Sequence, residues 1–159
     1  MFKLIIMEIK RITLAEADLV IELFDKYRVF YKQQSDMVLA ETFINERLDK
    51  NESIIFVALE NENDKLVPAG FTQLYPKYSS ISAKKNWILN DLYVAPHYRG
   101  KGIGEQLIKI AMRFAKNENA VYVQLETAVD NYTAQSLYER IGFIKQGLES
   151  EYLMYRIGV

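Results

Sequence analysis

Residues 86–104 read Asn-Trp-Ile-Leu-Asn-Asp-Leu-Tyr-Val-Ala-Pro-His-Tyr-Arg-Gly-Lys-Gly-Ile-Gly, and this stretch decides how the chain folds. Apolar and aromatic side chains dominate from Trp87 to Val94, which predicts a strand, and Pro96 ends it. Glycines follow at positions 100, 102 and 104, and they let the backbone turn tightly because they carry no Cβ that could clash. The stretch therefore predicts a strand, a tight loop and the start of a helix.

The helix after this loop is predicted by apolar residues that share one face of a 3.6-residue period. These residues are Ile103, Leu107, Ile110, Ala111 and Phe114. The first N–H groups of a helix lack intrahelical acceptors and carry partial positive charge, so they attract anions. Arg99 and Lys101 add full positive charges beside the glycines. We therefore predict that the loop and the helix N-terminus bind a pyrophosphate group.

Two common phosphate-binding motifs do not fit this loop. A Walker loop needs Ser or Thr directly after its lysine to bind magnesium, whereas Gly102 follows Lys101. The dinucleotide motif Gly-x-Gly-x-x-Gly would need a glycine where Glu105 stands, and the glycines at 100–104 do not belong to an N-terminal strand–helix unit. The spacing that fits is Arg-x-x-Gly-x-Gly, at Arg99, Gly102 and Gly104.

The composition predicts one domain over residues 1–159, because a chain of 159 residues with 50% hydrophobic content can bury one sizeable core. A net charge of −1 lacks the basic surface expected of a nucleic-acid-binding protein. No cysteine is present, which excludes disulfides and thiolate ligands, and a single histidine argues against a metal site. The N-terminal apolar run is far shorter than the ~20 residues of a membrane span. We therefore expect a cytoplasmic protein without a metal.

Local signals elsewhere predict alternating strands and helices. A Thr13-x-x-Glu16 capping box starts a helix that runs to about Tyr31, and Ser35 can cap a second helix that residues 50–52 end. Asp130 or Asn131 can cap a fourth helix, which Gly142 ends. Strands are predicted at residues 4–12, 53–60, 66–75, 87–94, 121–126, 143–146 and 152–157, with a loop over residues 77–85. The order predicts an α/β fold with a central mixed, mostly antiparallel sheet of six to seven strands flanked by four helices.

Two groups of residues occur at a spacing that is specific only in combination. The first reads Leu92-Tyr93-Val94-x-Pro96-x-Tyr98-Arg99-Gly100-Lys101-Gly102-Ile103-Gly104. The second comprises Asn131, Ala134, Leu137-Tyr138-Glu139 and Gly142-Phe143. With both groups, the chain resembles the GNAT superfamily of acyl-CoA-dependent N-acetyltransferases over residues 8–155, including its fold. Residues 27–31 and 70–76 resemble a bacterial branch related to yeast histone- and polyamine-acetylating members.

The resemblance implies acetyl-CoA as the cosubstrate and a set of residues that bind it. The backbone at Leu92, Tyr93 and Val94 would pair with the pantetheine arm, as an added strand pairs with a sheet edge. The pyrophosphate would lie against Arg99, Gly100, Lys101, Gly102, Ile103 and Gly104. Asn131 matches a position that contacts the pantetheine or the diphosphate side, and a helix cap is its structural alternative.

The resemblance also implies acid–base residues. Tyr138, a cofactor-site residue too, matches a tyrosine that protonates the departing CoA thiolate, and a core tyrosine is its alternative. The acceptor amine must lose a proton before it attacks, and Asp91, Glu126 or an ordered water are the expected acceptors of that proton. Asn90 adds an ambiguity, because some relatives carry the acidic residue there.

Aromatic residues can wall an acceptor pocket that receives a cation against ring faces. We expect Tyr31, Tyr75 and Trp87 to bind the substrate, with Tyr27, Phe30 and Tyr78 around them, and core packing is the alternative for each. The acceptor is expected to be a primary amine. A small amine, an amino acid, a peptide and a protein lysine all remain open.

The predicted activity is acetyl-CoA-dependent N-acetylation by direct attack in a ternary complex. The alternative is a module that binds acyl-CoA without turnover, against which Tyr138 argues. A dense apolar run over residues 152–157, at an expected sheet edge, predicts a homodimer. Neither a nucleic acid nor a membrane is an expected partner. Met7 resembles a family start, so residues 1–6 are expected to extend the first strand or to precede the native start.

Overall fold

The computed structural model describes residues 7–147 and 152–159. The chain divides into two compact units, of which the first ends at Glu126 and the second begins at Thr127. The predicted strand residues 4–6, the expectation about the start of the chain and the predicted connection over residues 148–151 lie outside the described residues. The organisation as a single domain stays a prediction.

The first unit contains a five-stranded sheet and three helices. Its strands are β1 (Glu8–Arg11), β2 (Ile54–Glu62), β3 (Lys65–Ser79), β4 (Lys84–Val94) and β5 (Val123–Gln124). Its helices are α1 (Asp18–Phe30), α2 (Met37–Asp49) and α3 (Ile103–Asn117), and short 3-10 turns lie at Leu14–Glu16 and Pro96–Tyr98. The second unit contains α4 (Tyr132–Ile141).

The sheet has the strand order β1-β2-β3-β4-β5. Strands β1 to β4 are antiparallel to their neighbours, whereas β5 is parallel to β4. Asn63 and Asp64 form the predicted β2–β3 turn with φ angles of 51° and 63°, which Asn and Asp tolerate better than most residues. β5 pairs only with Trp87 and Ile88. Within the described residues, no strand therefore pairs with the outer edge of β4 between residues 89 and 94.

Helices cover both faces of the sheet, because successive side chains of a strand point to opposite faces. On one face, α1 and α2 pack against β2, β3 and β4 in a core that includes Val20, Ile44 and Phe71. On the other face, the ring of Phe114 in α3 lies 5.0 Å from the ring of Trp87 between centroids. The two faces have different roles, since only the first bears the cavity described below.

Gly70 lies where β3 and β4 come unusually close. A Cβ on Gly70 would lie 2.8 Å from the carbonyl oxygen of Tyr93, a distance that real Cβ contacts do not reach. The pairing of β2 with β3 shifts register beside it, between Ala58 and Leu59. The sheet is therefore irregular around Gly70, and glycine permits the close approach of the two strands.

A second irregularity lies in β4. Gln73 and Leu74 of β3 pair with Asp91 and Leu89, so Asn90 is an extra residue on β4. An extra residue reverses the alternation of side chains along a strand. Leu89 and Asp91, which would share a face in a regular strand, consequently lie on opposite faces of the sheet.

Side-chain caps set several helix ends as the sequence predicts. Asn131 caps α4 by accepting a backbone N–H at 3.1 Å. Thr13 and Glu16 form the capping box, but it begins the 3-10 turn Leu14–Glu16, and α1 starts after that turn at Asp18. Gly142 ends α4 with a φ of 117°. The second helix differs from the prediction, because Asp36 rather than Ser35 caps α2, with a backbone N–H donating to its carboxylate at 2.9 Å.

The fold class is confirmed, but the predicted number of strands is wrong. Within residues 7–147 and 152–159, five strands form rather than the six or seven expected, residues 143–146 and 152–159 form none, and β5 is shorter than the predicted 121–126. A strand needs hydrogen-bonding partners, and neither C-terminal segment pairs with another in the described part of the chain. The predicted loop over 77–85 is also wrong. β3 and β4 extend into it and pair from Lys77 to Ser79, leaving a turn at residues 80–83.

No helix within residues 7–147 or 152–159 is both long enough and apolar enough to cross a bilayer. Over the same ranges, no three His, Cys, Asp or Glu side chains are grouped so that they could hold a metal ion.

Candidate active site

Asp91 is a buried carboxylate directly after the extra residue of β4. Its side chain is only 3% exposed, and the side-chain amides of Gln73 and Asn90 donate to it, the latter at 2.9 Å. The hydroxyl of Tyr27 donates to the Asn90 carbonyl oxygen at 3.3 Å and also stabilises the carboxylate. The carboxylate thus keeps hydrogen-bond donors although it has lost most of its water.

Burial controls the acidity of Asp91. Loss of hydration disfavours the charged form and raises the pKa of Asp91 above its ordinary value, although the donors Gln73, Asn90 and Tyr27 oppose the shift. A carboxylate with a raised pKa holds a proton more strongly than one in water. Asp91 is therefore better suited than an exposed carboxylate to accept a proton from an ammonium group.

Asp91 opens into a cavity of about 270 Å³ between α1, α2 and the sheet. The residues that line it are Phe24, Tyr27, Arg28, Leu39, Phe43, Tyr75, Asn90 and Asp91. Burial, followed by the nearby Asp91 charge, raises the pKa of both Tyr27 and Tyr75, so these phenols stay neutral at physiological pH. The cavity is therefore mostly apolar and aromatic, with one carboxylate and one guanidinium among its walls.

The three residues expected to bind the acceptor do not come together. Tyr75 lines the cavity beside Asp91, and Tyr31 lies at the end of α1, 51% exposed, with its ring centroid 5.0 Å from that of Tyr27. Trp87 is buried on the opposite face of the sheet against Phe114 of α3. The extra residue at position 90 is the reason, because it separates Trp87 from the face that Asp91 occupies.

Glu126 lies two residues past the end of β5 and is exposed. It has none of the buried hydrogen-bond partners that surround Asp91. Of the two carboxylates expected to accept a proton, only Asp91 lines the cavity.

The outer edge of β4 presents backbone groups near Asp91. Ala95 N–H donates to the carbonyl oxygen of Ala69 in β3 at 2.9 Å. Because successive residues direct their backbone groups to opposite edges of a strand, Leu92 and Val94 direct theirs away from β3. Arg99 Nε donates to the Val94 carbonyl oxygen at 2.8 Å on that side. Within the described residues, the outward groups of Leu92 and the outward N–H of Val94 thus have no strand partner, whereas the Val94 carbonyl oxygen is occupied by Arg99.

The glycine-rich loop has the backbone conformation that its glycines predict. Gly100 and Gly102 have φ angles of 76° and 80°, which favour glycine. The Arg99 guanidinium lies over the ring of Tyr93, 5.6 Å from its centroid, and Lys101 Nζ lies 5.5 Å from the centroid of the Tyr98 ring. Two cations therefore flank the loop.

The loop leads directly into the N-terminus of α3. The first hydrogen bond of the helix is donated by Gln106 N–H to the carbonyl of Gly102 at 3.1 Å. The amides of Ile103 and Gly104 precede it and have no acceptor within the helix. Ile103 is buried, so its side chain anchors this end of α3. Amide groups, glycines and cations thus meet as an anion site requires.

Asn131 and Tyr138 belong to the second unit. Asn131 is the N-cap of α4, so the structural role considered for it is confirmed. Tyr138 is half-buried in α4, and its ring centroid lies 6.0 Å from that of Phe143. The roles of both residues toward acetyl-CoA stay predictions.

Sequence reasoning missed Gln73, which donates to Asp91, and Arg28, which lines the cavity. Gln73 is fully buried in β3, two residues after Phe71 and next to Leu74, and a polar residue in a largely apolar strand is a usable signal. Arg28 lies next to the aromatic Tyr27 in the segment that was considered for substrate binding. Its orientation toward the cavity depends on how α1 packs.

The sequence model described as "Acetyltransferase (GNAT) family" matches residues 18–143. The chain belongs to the GNAT family of acetyltransferases. It is 43% identical over 137 residues, 86% of this chain and 89% of the relative, to the uncharacterized N-acetyltransferase YhfO of Bacillus subtilis. The expected enzyme class, an N-acetyltransferase, is thereby confirmed. The relation to yeast histone- and polyamine-acetylating members stays a prediction.

Solved structures agree with this GNAT assignment. The crystal structure of a probable acetyltransferase has 40% sequence identity and a TM-score of 0.85, covering 96% of this chain and 97% of that one. The aminoglycoside N-acetyltransferase AAC(6')-Iy in complex with CoA has a TM-score of 0.78 over 98% of this chain and 97% of that one. Since its identity is 17%, it shows the GNAT fold alone.

Proposed function

We propose that this GNAT acetyltransferase transfers the acetyl group of acetyl-CoA to a primary amine by direct attack in a ternary complex. The observation that carries the proposal is the buried Asp91 in a cavity next to the open edge of β4. A proton acceptor and an edge that can hold an extended arm lie on neighbouring residues of one strand.

Acetyl-CoA would bind along β4 and at the start of α3. The outward backbone groups of Leu92 and the outward N–H of Val94 would pair with the pantetheine amides, as a peptide pairs with a sheet edge. Residues 99–104 would hold the pyrophosphate through helix amides and two cations. Family membership and the CoA complex of AAC(6')-Iy support this assignment.

Asp91 would act as the general base. It would take a proton from the acceptor ammonium, and the freed nitrogen lone pair would attack the thioester carbonyl carbon. As the carbon–sulfur bond breaks, the nitrogen would lose its second proton to solvent and the CoA thiolate would take a proton from Tyr138, giving an amide and free CoA. Asp91 would release the proton that it accepted to solvent. The Tyr138 hydroxyl would then regain a proton from solvent. Glu126 is less suited as the base, because it is exposed.

The cavity suits a small acceptor, since about 270 Å³ is at or just below the low end of small-molecule sites. Tyr27 and Tyr75 would replace Trp87 as the aromatic residues nearest the reacting amine.

An acyl-CoA sensor without turnover is the second function considered. A sensor has no use for a buried carboxylate with a raised pKa or for a thiolate acid.

A panel of primary amines, with free CoA release as the readout, tests the proposal, and thermal unfolding with acetyl-CoA tests binding separately. We expect acetyl-CoA to raise Tm and at least one amine to release CoA. A raised Tm without release from any amine would instead favour the sensor.

Tyr138→Phe should lower kcat more than it weakens acetyl-CoA binding, and an unchanged kcat would remove Tyr138 from the mechanism.

A further inference from the structure

Arg28 lines the cavity, and one nitrogen of its guanidinium group has no hydrogen-bond partner within the described residues. Its Nη1 atom is buried and has no hydrogen-bond partner among the described residues. Arg28 follows Tyr27 on α1 and lines the same cavity as Asp91. A buried guanidinium N–H without an acceptor is costly, so an arrangement of this kind favours a ligand that supplies one.

The neighbouring carboxylate of Asp25 does not accept a hydrogen bond from Arg28 Nη1. Asp25 is buried, and its two oxygens accept hydrogen bonds from Ser35 Oγ at 2.6 Å and from Asp36 N–H at 2.8 Å. These donors and the charge of Arg28 together hold the pKa of Asp25 low, with Ser35 the largest influence. Both oxygens of the Asp25 carboxylate thus already accept hydrogen bonds from Ser35 and Asp36, the two residues that precede α2. Arg28 Nη1 remains without an acceptor within the described residues.

We infer that Arg28 binds a carboxylate of the acceptor, and that the acceptor is consequently a free amino acid. This inference rests on the proposed function. The ammonium group would lie at Asp91, the carboxylate at Arg28 and the side chain against the rings of Phe24 and Phe43. Arg matches a carboxylate with paired N–H donors, and the two charges of the ligand would each meet an opposite charge in the cavity.

The inference separates acceptor classes that the sequence left open. A peptide N-terminus presents an amine whose neighbouring carbonyl belongs to an amide, and a protein lysine presents its ε-amine at the end of an alkyl chain. Neither has a carboxylate next to the amine that could reach Arg28. A simple amine would leave the guanidinium nitrogen unpaired. Of the four classes, only the free amino acid supplies both charges at short separation.

The test compares amino acids with the same compounds lacking the carboxylate. The twenty standard amino acids are assayed for CoA release, and L-phenylalanine and L-leucine are paired with phenethylamine and 3-methylbutylamine. For the parent enzyme we expect kcat/KM at least about tenfold higher for the amino acid in a pair. Arg28→Gln should abolish that preference, mainly through KM, and Arg28→Lys should keep part of it. The ratio within a pair is compared between variants, so the pKa of each amine cancels.

Lys26→Gln is the matched control, because it removes one positive charge from an exposed position of the same helix. It should leave the preference unchanged. Binding without turnover is read from the Tm increase with CoA plus N-acetyl-L-phenylalanine, compared with CoA plus N-acetylphenethylamine. Only the Tm increase with N-acetyl-L-phenylalanine should become smaller in the Arg28 variants. Arg28→Gln should reduce it more than Arg28→Lys does.

Two results would overturn the inference while the acetyltransferase stands. One is a parent enzyme that acetylates amines without a carboxylate as well as or better than amino acids. The other is an Arg28→Gln variant, folded by circular dichroism, that keeps the preference. If acetyl-CoA raises Tm but no amine of either kind releases CoA, the proposed function itself fails, and the inference fails with it.

Discussion

Gln73 and Asp91 face each other across the β3–β4 pair, and the Gln73 side-chain amide donates to Asp91 Oδ2. The orientation of that amide is set by Ser53, whose hydroxyl donates to Gln73 Oε1 at 2.8 Å. With Oε1 engaged, the NH₂ group must point at the carboxylate. A buried chain of three side chains therefore positions the proposed base and favours its charged form.

Gln73→Met should move the acidic limb of the kcat/KM profile to higher pH. The amide stabilises the Asp91 anion, so its removal raises the pKa of Asp91 further and lowers the charged fraction near neutrality. Binding of acetyl-CoA should not change. Ser53→Ala is the milder control, because it leaves the amide in place, and it should shift the limb less. A profile that stays the same in Gln73→Met would contradict this role.

Asp91→Asn should lower kcat by about 10²- to 10⁴-fold, the range that general-base catalysis contributes, and should remove the acidic limb. The acetyl-CoA affinity, measured by calorimetry, should stay within about twofold, because the backbone edge is intact. Glu126→Gln is the comparison, since it neutralises the exposed carboxylate that the sequence also suggested. If Glu126→Gln loses the acidic limb and Asp91→Asn keeps it, the assignment of the base is reversed.

Asp91 should also make the stability of the protein pH-dependent. Its folded-state pKa lies above the ordinary 3.8, so between these two values the folded state binds more protons than the unfolded state. The free energy of unfolding contributed by Asp91 is therefore highest below 3.8 and falls as pH rises through the folded-state pKa. Urea unfolding of the parent and of Asp91→Asn from pH 4 to pH 8 measures this. As pH rises, the free energy of unfolding of the parent should fall relative to that of Asp91→Asn. A constant difference between the two free energies would argue against a raised pKa of Asp91.

Gly102→Val should abolish acetyl-CoA binding while the protein still folds. Gly102 precedes α3 with a φ of 80°, where a β-branched residue is strained by about 1–3 kcal/mol and would fill the space a phosphate approaches. Asn63→Val controls for strain alone, because Asn63 has a φ of 51° in the distant β2–β3 turn. Thermal unfolding with and without acetyl-CoA should show a lost Tm increase only in Gly102→Val. An equal Tm increase in both variants would place the pyrophosphate elsewhere.

The expected homodimer can be tested by deleting residues 148–159. Tyr152, Leu153 and Met154 are each 80% exposed, and a run of exposed apolar side chains is a common feature of an interface. Light scattering over micromolar concentrations should give twice the 18.5 kDa of one chain, and the deletion should return it to the monomer. A parent mass near that of one chain at all concentrations would disprove the dimer.

The sequence by itself determined those features that depend on neighbouring residues. The β4–loop–α3 segment, the positive φ of Gly102, the Asn131 cap and the β2–β3 turn were all predictable, because glycine, asparagine and helix-capping residues act on their own stretch of backbone. The proposed anion site belongs to this class, since it is built from consecutive residues. The family could also be predicted, because its motifs are read directly along the chain.

Only the tertiary structure decided which side chains meet at Asp91. The extra residue at Asn90 places Asp91 on the face of α1 and α2 and leaves Trp87 on the face of α3, and a strict alternation of residues gives no sign of that reversal. Gln73 and Tyr27 reach the carboxylate from positions 18 and 64 residues away, through strand register and helix packing. The C-terminal segments read as strands but lack a partner in the described residues. Pairing, register and burial involve residues distant in the chain, so no local pattern fixes them.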